Sequence, residues 1–516
     1  MNLLVGRGTT VSLMLAALAA GLSPPAAVAD VRLPHVIGCN MVLQREKPVP
    51  IWGWADPGEE VTVRIAGQEA RAKADDKGKW MVRLKAMPAG GPHEMAVAGR
   101  NTLQLTNILV GEVWVGSGQS NMEWGIRAAV NGEQEIASAD YPRIRLFDVP
   151  KVSAGEPALD VNTDWLPCSP NNIVANGGMG FSAALYFFGR ELHKELNVPI
   201  GLIDSSWGGT RIEPWTPPEG FAGVTGFDEI LKQIAEATPN HDQAVAAAVL
   251  RHEQWLPTAR QALDEGKPVP PPPGWPRHAL NSEGSPTGLY NGMIHPLVPF
   301  AIRGAIWYQG EANHPDGMKY AAMMKALVTG WRKVWGQGDF PFYYVQIAPY
   351  ERLYSRDQLP KLWEAQVAAM SIPNTGMIVT TDIADLEDIH PKNKQDVGKR
   401  LALWALAKTY GRKDLVCSGP LYKSMKIEDG AIRLLFDYVG SGLASRDGKP
   451  LNAFTIAGED RKFVKADATI DGDTVVIRSD KVSEPKAVRF GWSQLAQPNL
   501  INTEGLPASP FRTDRE

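Results

Sequence analysis

The stretch Gly118-Gln119-Ser120-Asn121-Met122 sets a serine on a glycine-flanked turn, directly after the apolar run Leu109-Val110-Gly111-Glu112-Val113-Trp114-Val115. A serine hydroxyl becomes a useful nucleophile only when a neighbouring base takes its proton. The chain has nine histidines. One of them, His390, stands in Asp388-Ile389-His390-Pro391, after the last predicted parallel strand and before the last predicted helix. Asp388, or alternatively Glu387, supplies a carboxylate that can hold the imidazole in one tautomer. Position alone favours a serine that caps the next helix, and it does not set His390 above a satisfied loop histidine. The G-x-S-x-G elbow is not matched, because Met122 stands where its second glycine belongs.

Two further loops follow predicted strands and open on the same sheet edge. Trp207-Gly208-Gly209-Thr210 offers consecutive glycines, whose backbone N–H groups can approach a ligand closely. An oxyanion hole needs such donors, so Gly208, Gly209 and the Ser120 amide are candidates. Gln309-Gly310-Glu311-Ala312-Asn313 adds the side-chain amides of Gln309 and Asn313. Gln119 and Glu311 join these loops as candidate substrate contacts. Trp124, Trp207 and Trp215 lie in loops and can stack on sugar rings, whereas Trp307 lies on a strand and reads as core. The acidic run Asp382, Asp385, Glu387, Asp388 lacks the regular spacing of a calcium loop, and no metal site is expected.

Strand–helix alternation positions these loops. The strand at 109–115 is followed by a helical stripe at 181–196 and a strand at 198–204. After an interruption come strands at 302–307, 342–347 and 377–381, each followed by a helix, at 318–335, 359–370 and 394–410. This pattern builds a parallel sheet covered on both faces, with ligand loops at the carboxyl ends of its strands. The predicted domains are 30–108, a small β-sandwich region, and 109–215, the first part of the catalytic domain. Residues 216–280 form a helical insertion, with helices at 227–237 and 243–263 and a strap containing four consecutive prolines. Residues 281–412 complete the catalytic domain, and 413–516 return to β structure.

Length and composition narrow the function. The 516 residues exceed one ordinary core. A net charge of −4 without a long basic run gives no case for nucleic acid. Residues 1–29 combine Arg7, an apolar run at 11–22 and Ala27-Val28-Ala29, which reads as a cleaved signal peptide and predicts a secreted or periplasmic protein without a membrane span. Three cysteines, Cys39, Cys168 and Cys417, allow at most one disulfide.

In combination, four blocks resemble those of the SGNH hydrolases: Gly118-Gln-Ser-Asn-Met, Trp207-Gly-Gly-Thr, Trp307-Tyr-Gln-Gly-Glu-Ala-Asn and Asp388-Ile-His-Pro-Lys-Asn-Lys-Gln. More narrowly they are similar to the sialate O-acetylesterase-like carbohydrate esterases, and 289–294 and 397–402 add to the likeness. The resemblance covers residues 40–410 in patches. It implies an α/β protein with a flavodoxin-like three-layer α/β/α domain, β-sandwich accessory regions, Ser120 as nucleophile and His390 as base. It implies acyl transfer from an acetylated oligosaccharide or polysaccharide and no cofactor. The usual spacing in the superfamily, D-x-x-H, is not kept, since Glu387 occupies the position three before His390. Two rival readings are a glycan-binding protein on a decayed esterase scaffold, and a lipase or thioesterase.

Overall fold

The computed structural model describes residues 30–355 and 357–514. The expected signal peptide at 1–29 lies outside the described residues. The N-terminal strands are β1 (Val42–Gln44), β2 (Val49–Trp54), β3 (Glu60–Ile65), β4 (Gln68–Lys73), β5 (Lys79–Leu84) and β6 (Gly90–Ala98). Alternation in β3 buries Val61, Val63 and Ile65, and alternation in β5 buries Trp80, Val82 and Leu84, all in one core. The strand β7 (Thr102–Gly118) then belongs to two regions at once. Its first half alternates and pairs with β6, while its second half is buried on both faces. The expected boundary at 108/109 therefore falls inside one continuous strand.

Five more parallel strands complete the central sheet: β8 (Tyr141–Asp148), β10 (Ile200–Ser206), β11 (Gly304–Tyr308), β12 (Phe342–Val345) and β13 (Thr375–Ile378). A short strand, β9 (Leu166–Cys168), runs antiparallel beside β8 at the edge. The order is β13-β12-β11-β7-β10-β8-β9. A flavodoxin-type sheet keeps its first strand between the second and third. The five strands read from the sequence keep that arrangement, in the order β10-β7-β11-β12-β13, and β8, which the sequence reading did not name, adds beyond β10. The chain leaving β7 turns toward β8, and that leaving β11 turns toward β12. Such a reversal opens a crevice at the carboxyl ends of β7 and β11.

The helices are α1 (Ser120–Glu123), α2 (Gly132–Ala137), α3 (Ala183–Leu196), α4 (Pro218–Phe221), α5 (Asp228–Asp264), α6 (Lys319–Trp335), α7 (Gln358–Ala368) and α8 (Lys394–Trp404). Neighbouring strand residues point to opposite faces of a sheet. In β11, Trp307 packs edge-on against Trp331 of α6, whereas Tyr308 lies under Lys394 of α8. Helices α6 and α8 therefore cover opposite faces. Trp114 of β7 packs on Phe188 of α3, which lies beside α8. The two helices expected in the insertion form one 37-residue helix, α5, which runs through Pro239 and Pro257. The proline strap returns along it: Trp255 donates to the Pro270 carbonyl, and Trp275 stacks on His252. The C-terminal β region builds a separate apolar cluster around Ile432, Leu434, Ile456, Val488 and Phe490. None of the three cysteines is paired.

Candidate active site

Gly118, the last residue of β7, sits between Ser206 of β10 and Tyr308 of β11. Its φ is +139°, and a Cβ there would lie 2.2 Å from the Tyr308 carbonyl oxygen. Only glycine lets the chain turn so tightly between two neighbours. Ser120 follows as the first residue of α1. The Gln119 carbonyl accepts from the amides of Met122 and Glu123, which holds this short helix in place.

The His390 loop reaches across to it. His390 Nε2 is 2.9 Å from Ser120 Oγ, and His390 Nδ1 is 3.2 Å from Asp388 Oδ1. Asp388 Oδ1 also accepts from the His390 amide at 3.0 Å, so carboxylate and imidazole belong to one tight turn. Glu387 is exposed, and its amide donates to Asp385. Asp382 forms a two-pronged pair with Arg400. Of the four acidic residues, Asp388 is the one bonded to His390. Burial pushes the His390 pKa below its ordinary value; the Asp388 carboxylate opposes this and the Lys394 ammonium adds to it. A neutral imidazole beside a serine hydroxyl can act as a general base. The helix read at 394–410 begins at Lys394, where Asn393 caps it by accepting from the Asp396 amide.

The glycine loop lies against the serine: a Cβ on Gly208 would come 3.3 Å from Ser120 Cβ. The Gly208 amide donates to Glu123 Oε2 at 2.5 Å. Gly209 adopts φ +76° with open space at its Cβ position. The third-loop amides are committed elsewhere. Gln309 Nε2 donates to the Thr210 carbonyl and to Asn313 Oδ1, while its Oε1 accepts from the Tyr320 hydroxyl. Asn313 Nδ2 donates to Glu213 and Asp316, and its Oδ1 also accepts from the Ile212 amide. Both side chains are buried and tie the second and third loops together.

A family model described as carbohydrate esterase, sialic acid-specific acetylesterase, matches residues 110–253 and 279–407. The chain belongs to this carbohydrate esterase family. The esterase is 32% identical to the sialate O-acetylesterase of Rattus norvegicus over 97% of each chain. It is 29% identical to that of Homo sapiens, over 93% of this chain and 92% of the human protein. A solved carbohydrate acetylesterase from Xanthomonas citri superposes with a TM-score of 0.78 at 37% identity, over 94% of this chain and 100% of that one. The protein is a carboxylic ester hydrolase.

Other expected contacts fall in different places in the esterase. Trp124 stacks on the His390 ring, and Trp207 is partly exposed. Trp215 is fully buried, packed edge-on against Trp307 with its indole N–H on Thr210 Oγ1. It is a core residue that cannot present a face to a sugar. Gln119 turns its side-chain oxygen to the Ala312 amide, bracing the third loop. Glu311 is buried and accepts from Asn121.

Sequence reasoning gave no role to Asn121, Glu123 or Lys394. Lys394 carried a readable signal: a cation on the first residue of a helix opposes the helix dipole. Asn121 and Glu123 carried only their closeness to Ser120.

Proposed function

We propose that this protein is a serine carbohydrate acetylesterase of the SGNH type, working through an acyl-serine intermediate. The observation that carries the reading is the chain Ser120 Oγ, His390 Nε2 and Nδ1, Asp388 Oδ1, at 2.9 and 3.2 Å. His390 removes the Ser120 proton as the oxygen attacks the ester carbonyl. Asp388 holds Nδ1–H and stabilises the imidazolium that results. The tetrahedral oxyanion takes hydrogen bonds from the backbone, at the Ser120 and Gly209 amides, because Glu123 already occupies Gly208. The tetrahedral intermediate then collapses, and the imidazolium protonates the sugar oxygen as its bond to the acyl carbon breaks, so that it leaves as a hydroxyl. Water, deprotonated by the same imidazole, releases acetate from Ser120.

The substrate is an acetylated oligosaccharide or polysaccharide. A cavity of about 540 Å³ at the carboxyl ends of β8 and β10 supports this reading: Glu123, Asp148, Asp204 and Ser206 offer acceptors for sugar hydroxyls, Lys151 a donor, and Leu146, Met179 and Phe181 apolar surface for ring faces. The names of the relatives support the acetyl group. The leader at 1–29 supports work in the periplasm or outside the cell.

The test is covalent trapping. A fluorophosphonate should inactivate the protein, losing fluoride and adding its phosphonyl group to the Ser120 peptide alone, and Ser120→Ala should lose about 10⁴-fold or more of turnover on aryl acetate. A folded Ser120→Ala protein with near wild-type turnover refutes the assignment.

A further inference from the structure

We propose that Asn121, Glu311 and Lys394 are positioning residues, a buried relay that locks the His390 loop onto the helix carrying Ser120. The proposal rests on the reading of Ser120 and His390 as nucleophile and base. Asn121 follows Ser120 directly, and its one amide reaches three separate elements. Nδ2 donates to Glu311 Oε1 at 2.5 Å, in the loop after β11. The same nitrogen donates to the Ile389 carbonyl at 3.0 Å, one residue before His390. Oδ1 accepts from Lys394 Nζ at 2.6 Å, at the start of α8. Asn121 and Lys394 are fully buried, and Glu311 is 2% exposed.

A fold seeking stability alone has little reason to bury these groups. An ammonium and a carboxylate lose their hydration there, and apolar residues of similar size often serve as well or better. Lys394 also stands at a helix N-terminus, where the dipole disfavours a cation. Glu311 Oε2 has no hydrogen-bond partner among the described residues. Burial pushes the Glu311 carboxyl above its ordinary range and the Lys394 ammonium down to about 7. The arrangement does make sense as a clamp. During acylation His390 must keep Nε2 on Ser120 while it gains a proton. The grip on the Ile389 carbonyl fixes the backbone next to that ring.

The relay also sets the charge around His390. The groups facing Lys394 are Glu311 and Tyr308 from β11 and its loop, and Asp388 from the histidine loop. Those acting on His390 are Asp388, Lys394 and Glu123. Among them the Lys394 ammonium opposes protonation of His390, so its removal makes imidazolium easier to form.

The experiment compares Glu311→Ala, Glu311→Gln and Lys394→Met with the full-length wild type on 4-nitrophenyl acetate across pH. Glu311→Ala should lower kcat roughly ten- to hundredfold with KM nearly unchanged, since the reacting geometry loosens while substrate contacts stay. Glu311→Gln keeps an oxygen to accept from Asn121 and should restore most of that loss. Lys394→Met should move the acid limb of kcat/KM to higher pH. If Lys394→Met does not fold, the glutamate pair still decides by the presence or absence of rescue. Wild-type kcat in Glu311→Ala, or equal losses in Glu311→Ala and Glu311→Gln, overturns the relay. So does a folded Lys394→Met protein with an unmoved acid limb. With Ser120 still trapped by fluorophosphonate, such results defeat the relay alone. Turnover surviving in Ser120→Ala defeats the underlying reading instead.

Discussion

The indole of Trp124 lies flat against the imidazole of His390, with ring centroids 4.4 Å apart and planes 17° from parallel. Its N–H donates to the Ala128 carbonyl at 3.0 Å, which fixes the ring's orientation. When His390 takes the serine proton, the imidazolium forms against an aromatic face. Such a contact contributes about 0.5–2 kcal/mol to a cation, or roughly 2- to 30-fold in rate. Trp124→Ala should lower kcat on aryl acetate within that range, and Trp124→Phe should lower it less. Equal kcat in all three proteins would show that the stack serves packing only.

Asp388 and Glu387 can be separated by the same assay. Asp388 touches both the ring and the amide of His390, while Glu387 is exposed. Asp388→Asn should keep the turn but can present its amide N–H to Nδ1, favouring the wrong tautomer. A loss of up to about 10⁴-fold in kcat is expected, against less than twofold for Glu387→Gln. A large effect confined to the glutamate variant would reverse the assignment.

The pH dependence follows from the burial of His390. Its folded pKa lies below the ordinary value of 6.5, and the catalytic form is the neutral ring. Activity is therefore retained as pH falls through 6.5 and lost only at lower pH, as the imidazole protonates. The acid limb of kcat/KM for the free enzyme should have its midpoint below 6.5. A midpoint near or above 7 would mean that Asp388 outweighs burial.

The third-loop amides lead to a stability prediction. Gln309 and Asn313 satisfy buried partners on each other, Thr210 and Tyr320, and the half-buried carboxylates of Glu213 and Asp316. Truncation leaves such groups unpaired, at about 1–3 kcal/mol each. Gln309→Ala should thus show a clearly lower Tm, with kcat of the folded protein within about tenfold of wild type. A loss of 10²–10³-fold at unchanged Tm is what removal of an oxyanion donor typically gives, and it would return Gln309 to that role.

The reach of sequence reading can be judged residue by residue. The loops carrying Ser120, Gly208 and Gln309 could be placed on one edge because parallel strands share a direction, and the register Ser206–Gly118–Tyr308 shows them side by side. Asp388 could be named but not separated from Glu387, since the choice depends on which way a four-residue turn folds. Trp215 could not be recognised as core, because its burial comes from Trp307 and Thr210, distant or on another element. The strand β8 beyond β10 was equally hidden: its buried Ile144, Leu146 and Phe147 are interleaved with Arg143 and Arg145, and no long apolar run marks it. The buried contacts of Asn121 join residues up to 273 positions apart, and no local pattern announces them.

The acyl group should be small and the alcohol a sugar. Around Ser120 the space is tight: Gly208 closes in on its Cβ, and Trp124 covers the His390 ring. The adjacent cavity is lined by the polar Glu123, Asp148, Lys151, Asp204 and Ser206 and by apolar side chains that include Leu146, Met179 and Phe181. An aliphatic chain would desolvate the polar groups without replacing their hydrogen bonds. Sugar hydroxyls can make those bonds. In a series of 4-nitrophenyl esters, kcat/KM should be highest for acetate and fall by butyrate and beyond. Each methylene that finds no apolar surface forgoes about 0.8 kcal/mol of burial, so a long-chain ester gains no binding to offset its poor fit. In parallel, acetate release from acetylated oligosaccharides should exceed that from simple aryl acetate at equal concentration, because sugar contacts add binding at the leaving group. A preference for octanoate, with no acetate released from any glycan tested, would reject the carbohydrate substrate and favour a lipase or thioesterase.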